Sequence, residues 1–395
     1  MRRWIISATA VMIAGAFACV EIVGVHDLTC EAPEGSPFDT CVGEGGINVL
    51  PTNGEIHGLV WVGATLVAVG SSIQDASPHF AVQVFSSDGT PSGDPILDIP
   101  DSEATSVTAT FDSGIYAAGG NDKSIMLRHY AFDPFRADQP PGNLTQSSSY
   151  TKAFDGVPLR TAAAIVGSFV FGTTVDGRLI AMRYNNNGSP SPPDSTNHDA
   201  IFDSGIPFQA TSGAVGSSTI TILANGPDAG TGLTMVRWST PNQNDNIDTT
   251  FNDGGALFTS FGNGGAARAL VNVPSDPSYW VGGIDRDASG LVVTHVLVNG
   301  AIDKTWITSG ASSGINAMIP VDGGLLAAGF ANGHLAVARF TLDAGIDTTF
   351  GDAGVLEIPL PGQLEAIAQS DTRVVAGGYV TVNGTKQWVL VWLLP

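Results

Sequence analysis

Residues 334–360 read HLAVARFTLDAGIDTTFGDAGVLEIPL. Leu335 to Phe340 alternates and is rich in strand formers, Asp343-Ala344-Gly345 is a turn signal, and Val355 to Ile358 is a second apolar run, so the stretch predicts a β-hairpin. Immediately upstream, Ile315 to Pro320 and Leu325 to Gly329 are joined by Val321-Asp322-Gly323-Gly324, a second hairpin connection. Four short antiparallel strands in roughly fifty residues make one unit.

Weakened copies of the unit recur along the chain. Its second strand appears as LVAVG ending at Gly70, IYAAG at Gly119, FVFG at Gly172, ITILANG at Gly226, YWVGG at Gly283, LLAAG at Gly329 and VVAGG at Gly378. Its third appears as FAVQVF (80–85), IMLRHY (125–130), LIAMRY (179–184), LTMVRW (233–238), LVVTHV (291–296), LAVARF (335–340) and WVLVWL (388–393). A four-stranded sheet with two apolar faces cannot bury both alone. Radial stacking of seven such sheets solves this, and the fold expected is all-β, a seven-bladed β-propeller of four-stranded antiparallel blades.

The linear solenoid is the rival, and the ends of the chain argue against it. The last copy stops at Pro395 after its third strand, whereas FDTCVGEGGINVLP (38–51) matches IDTTFGDAGVLEIP (346–359) in character at each position. A ring closed by pairing residues 46–50 with the C-terminal blade supplies the missing fourth strand and removes an exposed edge. The boundaries that follow are a signal peptide at 1–18, a leader or linker at 19–37 and the propeller at 38–395. Its blades fall at about 55–100, 104–155, 158–207, 208–262, 265–310, 313–360 and 363–395.

A strand ending in Arg-aromatic, then a turn, then IDTTFGDAGV at 346–355, with a degenerate copy IDTTFNDGGA at 247–256, resembles the delta-60 repeat of bacterial secreted or surface proteins. The motif is sharp at those two places and around 38–47. After Asn299-Gly300 it keeps Ile302 and Asp303 but has Trp306 where Phe belongs, and it is absent before residue 200 outside 38–47. The resemblance implies a propeller-like fold in an extracytoplasmic setting, and brings no established activity with it.

Residues 1–18 read as an export signal: Arg2 and Arg3 precede an apolar run from Trp4 to Phe17, and Ala16-Phe17-Ala18 is a small-x-small cleavage site. Cys19 follows it directly, so the same residues resemble a lipobox in which Cys19 carries the lipid; plain secretion is the alternative. Lipidation of Cys19 would leave Cys30 and Cys41 to pair, accounting for all three cysteines of the chain. A disulfide across that short loop would contribute roughly 3 kcal/mol in the chain-entropy model. The competing reading is a free, buried Cys41.

The chain has 395 residues, 43% of them hydrophobic, only 13% charged, with 49 Gly and 23 Pro. That composition fits many turns and little helix. The net charge is −21 and there are only four Lys, so clustered phosphate-neutralising cations are absent and nucleic acid is excluded as a partner. The acidity serves solubility, or else attracts cations or basic partners. Residues 131–158 and 185–199, rich in Pro, Ser and Asn, are expected to be long loops, sites of function or of neutral drift.

No catalytic, metal or cofactor constellation is legible. The seven histidines (His26, His57, His79, His129, His198, His295, His334) lack ligand spacing, and no nucleophile elbow or phosphate loop occurs. Asp285-Arg286-Asp287-Ala288-Ser289-Gly290 begins like a calcium loop, but its twelfth position is Val296 rather than Glu, and turn chemistry explains it as well. The Arg-aromatic pairs are more regular: Arg128 with Tyr130, Arg183-Tyr184, Arg237-Trp238 and Arg339-Phe340. Inside stacked blades such an Arg needs an acceptor, and the nearest candidates are Asp248 for Arg237 and Asp347 for Arg339.

One more periodicity concerns the innermost strands. A polar residue precedes each small-apolar run: His57, Ser106, Arg160, Gln209, Arg268, Asn316 and Glu365. Seven equivalent positions would ring one mouth of a central channel, and their unequal charge suits a single small polar ligand, although wet strand starts are polar in any case. The functional reading is therefore a monomeric, non-enzymatic module, held to a membrane only by its N-terminal lipid, that binds a small polar ligand or a surface protein. The alternative is an extracellular polysaccharide hydrolase or lyase with a carboxylate pair at the channel mouth.

Overall fold

The structure is a computed structural model. It describes residues 36–394 except 41, 44, 111–113, 122–123, 133–143, 154–158, 167–168, 175–176, 184–198, 203–207, 216–218, 227–231, 240–246, 253, 274–275, 287–289, 309–311 and 344. The signal peptide and the readings on Cys19, Cys30 and Cys41 lie outside the described residues, as do most of 185–199 and the side chains of Arg160 and Arg183.

Every regular element among the described residues is a β-strand. The pairings are antiparallel and fall into groups of four. Four of the groups are separate sheets, and three are joined in one larger sheet because two long strands each serve two groups. In Val355–Gln369, residues 355–361 pair with His334–Thr341 while residues 362–369 pair with Val374–Val382. Ile47–Val62 does the same: Ile47, Asn48 and Val49 lie opposite Val391, Leu390 and Val389, whereas residues 54–62 pair with Thr65–Gln74. The segment before it also lies on the last strand, with Asp39 N bonded to Trp392 O (3.0 Å) and Trp392 N to Gly46 O (2.8 Å).

The apolar clusters explain why single sheets do not stand alone. Leu66 and Phe85 of the first group pack with Trp388 and Trp392 of the last. Val67 and Phe80 pack with Ile115 and Tyr130 of the second, and Trp280 and Val293 of the fifth with Leu325 and Phe340 of the sixth. Each cluster takes its two walls from consecutive sheets. A fully buried side chain of this size contributes about 1.5–3 kcal/mol, so the stability lies in the stacking rather than within a sheet.

The innermost strands are Ile47–Val62, Glu103–Ala109, Leu159–Val166, Gln209–Val215, Ala266–Val273, Gly314–Val321 and Val355–Gln369. Each lies against the next in chain order, and Val355–Gln369 lies against Ile47–Val62. One expectation is corrected here: within 131–158, residues Leu144–Ala153 form a strand on Ser124–Phe132 rather than a loop. The run LTQSSSYTKA hid it because an outermost strand has a solvent side, where Gln146 and Ser149 are exposed, and so lacks the apolar signature.

The IDTTF motif has a physical account. Asp248 N bonds to Arg237 O (2.8 Å) and Arg237 N to Gly255 O (3.0 Å), and Asp347 and Gly354 make the same pair of bonds with Arg339 (2.8 and 3.1 Å). Each Asp carboxylate also caps its own turn, Asp248 Oδ1 accepting from Thr250 N and Asp347 Oδ1 from Thr349 N, both at 3.0 Å. Their other oxygens meet the arginines: Arg237 Nε stands 2.8 Å from Asp248 and Arg339 Nε 3.5 Å from Asp347. Arg237 also lies 4.6 Å over the Phe251 ring. Arg128 finds its acceptor elsewhere, in Asp98 of the preceding group. In the N-terminal copy Trp392 stands where the arginine would be, and Asp39 instead pairs with Arg373 at 2.7 Å.

Candidate functional site

The innermost strands share an irregularity. The register against the second strand slips between Ile56 and Gly58, Ala104 and Ser106, Ala210 and Ser212, Ala267 and Ala269, Ile315 and Ala317, and Leu364 and Ala366. The extra residue at each bulge is His57, Thr105, Thr211, Arg268, Asn316 and Glu365. In the third group the slip lies between Arg160 and Ala164. In the second and fourth groups the equivalent positions are thus Thr105 rather than Ser106, which pairs regularly with Ala118, and Thr211 rather than Gln209, which pairs with Asn225.

The bulges also account for the glycine that closes the second strand of most repeats. A Cβ at Gly70 would stand 1.9 Å from Glu55 O, and one at Gly378 2.0 Å from Gln363 O. The carbonyl two residues before each bulge crowds the neighbouring strand, and only glycine admits it.

The bulge side chains reach across from one inner strand to the next. Thr211 Oγ1 donates to Ala267 O (3.3 Å), Arg268 Nη1 to Asn316 Oδ1 (2.5 Å), and Asn316 Nδ2 to Leu364 O (2.9 Å). Glu365 Oε2 lies 2.6 Å from His57 Nδ1, and His57 Nε2 lies 3.7 Å from Glu103 Oε2. Of the residues singled out from sequence, His57, Arg268, Asn316 and Glu365 are thereby linked. Glu103 and Thr211 were missed. Thr105 and Thr211 could have been found by counting back from the hairpin turns, but nothing in the local sequence marks Glu103.

The electrostatics are mutual. Burial would lower the pKa of His57, but the hydrogen bond it donates to Glu365 and the carboxylates of Glu365, Glu103 and Glu55 outweigh it, and the net shift is upward. For Glu365 burial would raise the pKa, yet the bond to His57 and the charges of His57, Lys386 and Arg268 bring it down. Both shifts favour an imidazolium–carboxylate contact, made between side chains that are 18% and 24% exposed.

A second polar trio lies away from this belt. His295 Nε2 shares a 2.6 Å hydrogen bond with Ser278 Oγ, and its Nδ1 lies 3.0 Å from Asp303 Oδ2. The atoms have the connectivity of a hydrolytic triad. Ser278 is only 2% exposed, however, and the imidazole is stacked on Trp280 at 4.5 Å, so the trio ties three adjacent strands in a packed layer. The turn at Asp285 is likewise occupied by the protein itself, Asn263 donating to both carboxylate oxygens at 2.8 and 3.0 Å. Among the described residues no group of three His, Cys, Asp or Glu is placed to hold a metal ion.

These sheets, stacked through shared cores with their inner strands side by side, define a β-propeller-like fold. No protein-family model matches the chain, and no curated protein matches it in sequence. Among solved structures it is similar to the WD40 domain of Toxoplasma gondii coronin, with a TM-score of 0.51 and 10% identity over 88% of this chain and 86% of that one. It is similar also to the β-propeller domain of Cps50 (Swd1) from Myceliophteria thermophila, with a TM-score of 0.51 and 10% identity over 87% of this chain and all of the other. At such identity the likeness is one of fold.

Proposed function

We propose that the chain is an exported, lipid-anchored propeller whose seven blades close into a ring through residues 47–53, and that it binds a small polar ligand or a partner protein where the inner strands carry their bulges. The observation that carries this reading is the belt of polar contacts running from Thr211 through Arg268, Asn316, Glu365 and His57 to Glu103. Convergent polar groups on rigid strands are the ordinary make-up of a recognition site. Ring closure is supported by the contact of Val355–Gln369 with Ile47–Val62, and export by the signal-like residues 1–18.

A glycosidase needs a carboxylic acid held protonated. Against the effect of burial, the bond to His57 shifts the Glu365 pKa downward, away from that of a held acid, which disfavours the hydrolase reading for this carboxylate. The binding site is tested by replacing Arg160, Arg268 and Glu365 with Ala and screening sugars and organic acids by thermal shift. A ligand that stabilises wild type and not the triple variant supports it, and equal stabilisation removes the site. The anchor is tested by mass spectrometry of the mature N-terminus: acyl groups on Cys19 support it, and an unmodified Cys19 overturns it.

A further inference from the structure

Four of the described arginines come with a carboxylate. Arg128 has Asp98, Arg237 has Asp248, Arg339 has Asp347 and Arg373 has Asp39. Arg268 is different. It is half-buried on a bulge of the fifth inner strand, and among the described residues no carboxylate lies within 4.0 Å of its guanidinium. Among the described residues its guanidinium makes one hydrogen bond, from Nη1 to Asn316 Oδ1, and Asn316 is itself fixed by donating to Leu364 O.

The consequence is geometric. With Nη1 held by Asn316, the Nε and Nη2 edge carries no bond among the described residues, and that edge presents two parallel N–H groups with the spacing of a carboxylate. A half-buried cation without a carboxylate beside it is only partly compensated, so its open edge is suited to an anion supplied from outside. Burial pulls the guanidinium pKa down and only Glu365 pushes it back, which agrees with an incompletely compensated charge. Glu365 is already committed to His57.

Resting on the reading of the belt as a recognition site, we infer that the free edge of Arg268 docks a carboxylate of the ligand, which is therefore an organic acid or an acidic group of a partner rather than a neutral sugar. Asn316 is a positioning residue that aims the fork.

The test is calorimetric titration of the full chain with succinate, with galactose and inorganic phosphate titrated in parallel. Saturable succinate binding is expected, weakened at least tenfold in Arg268→Lys, which keeps the charge and loses the fork, and in Arg268→Gln, which removes the half-buried cation without enlarging the side chain. Asn316→Ala should weaken it less. Succinate bound equally by wild type and both Arg268 variants overturns the inference, as does the absence of binding. Phosphate bound as tightly as succinate overturns the carboxylate class. Galactose binding that is lost in His57→Ala but unchanged in Arg268→Lys overturns the inference while leaving the recognition site standing.

Discussion

His57 and Glu365 are 308 residues apart in the chain and meet at 2.6 Å, joining the first inner strand to the last. The contact sets a pH window. The raised pKa of His57 means that its stabilisation is complete below the ordinary value of about 6.5 and is lost as pH rises through the folded value. Glu365 is lowered, so its share is complete above the ordinary value of about 4.5 and is lost as pH falls through its folded value. Melting temperature followed from pH 4 to 9 should therefore decline on the alkaline side, and His57→Gln should flatten that limb at a cost of about 2 kcal/mol near pH 6. An alkaline limb unchanged in the variant would disprove the assignment.

Glycine at the bulge is a steric requirement, whereas glycine in a hairpin turn is a conformational one. A Cβ at Gly329 would stand 1.9 Å from Gly314 O, while one at Gly323, at φ +76°, meets nothing within 4 Å. In urea denaturation Gly323→Ala should cost about 1 kcal/mol and Gly329→Ala at least twice that, because the strands must part. Equal costs would show that the bulge is not held against the second strand.

Two copies of the same motif should respond unequally to the same change. The Arg237 side chain is 8% exposed and that of Arg339 38%. Arg237→Met, which strands Asp248, is expected to cost about 3 kcal/mol, and Arg339→Met under about 1 kcal/mol. Chemical denaturation of the two variants checks this, and a reversed order would refute the role given to burial.

Ser278, despite its hydrogen bond to His295, should not act as a nucleophile. A fluorophosphonate probe should leave the folded chain unlabelled, while Ser278→Ala lowers stability by about 1–3 kcal/mol by leaving His295 Nε2 without this partner. Stoichiometric labelling abolished in Ser278→Ala would establish a hydrolytic centre instead.

The repeat was legible because blade packing writes itself into sequence. Leu335 to Phe340 and its counterparts are apolar on both faces, since each blade is covered by two neighbours, and Gly70, Gly119, Gly283, Gly329 and Gly378 mark the crowding of the bulge. What escaped were features without a local signature. The outermost strand Leu144–Ala153 has a wet side and a polar sequence. At Ala104-Thr105-Ser106 two polar residues stand together, and only the pairing of Gly119 with Ala104 shows which one bulges. The meeting of Glu103 with His57 depends on how two blades are placed against each other, which no window of sequence contains.

The central claim is that recognition takes place on the inner-strand bulges. Its most direct test is amide hydrogen exchange with and without whichever sugar or organic acid stabilises the chain. Slowed exchange concentrated at residues 54–58, 103–106, 266–269, 314–317 and 363–366 is the predicted result. Protection confined to the outer strands Ala256–Thr259 and Ile302–Ile307, with the inner strands unchanged, would contradict it.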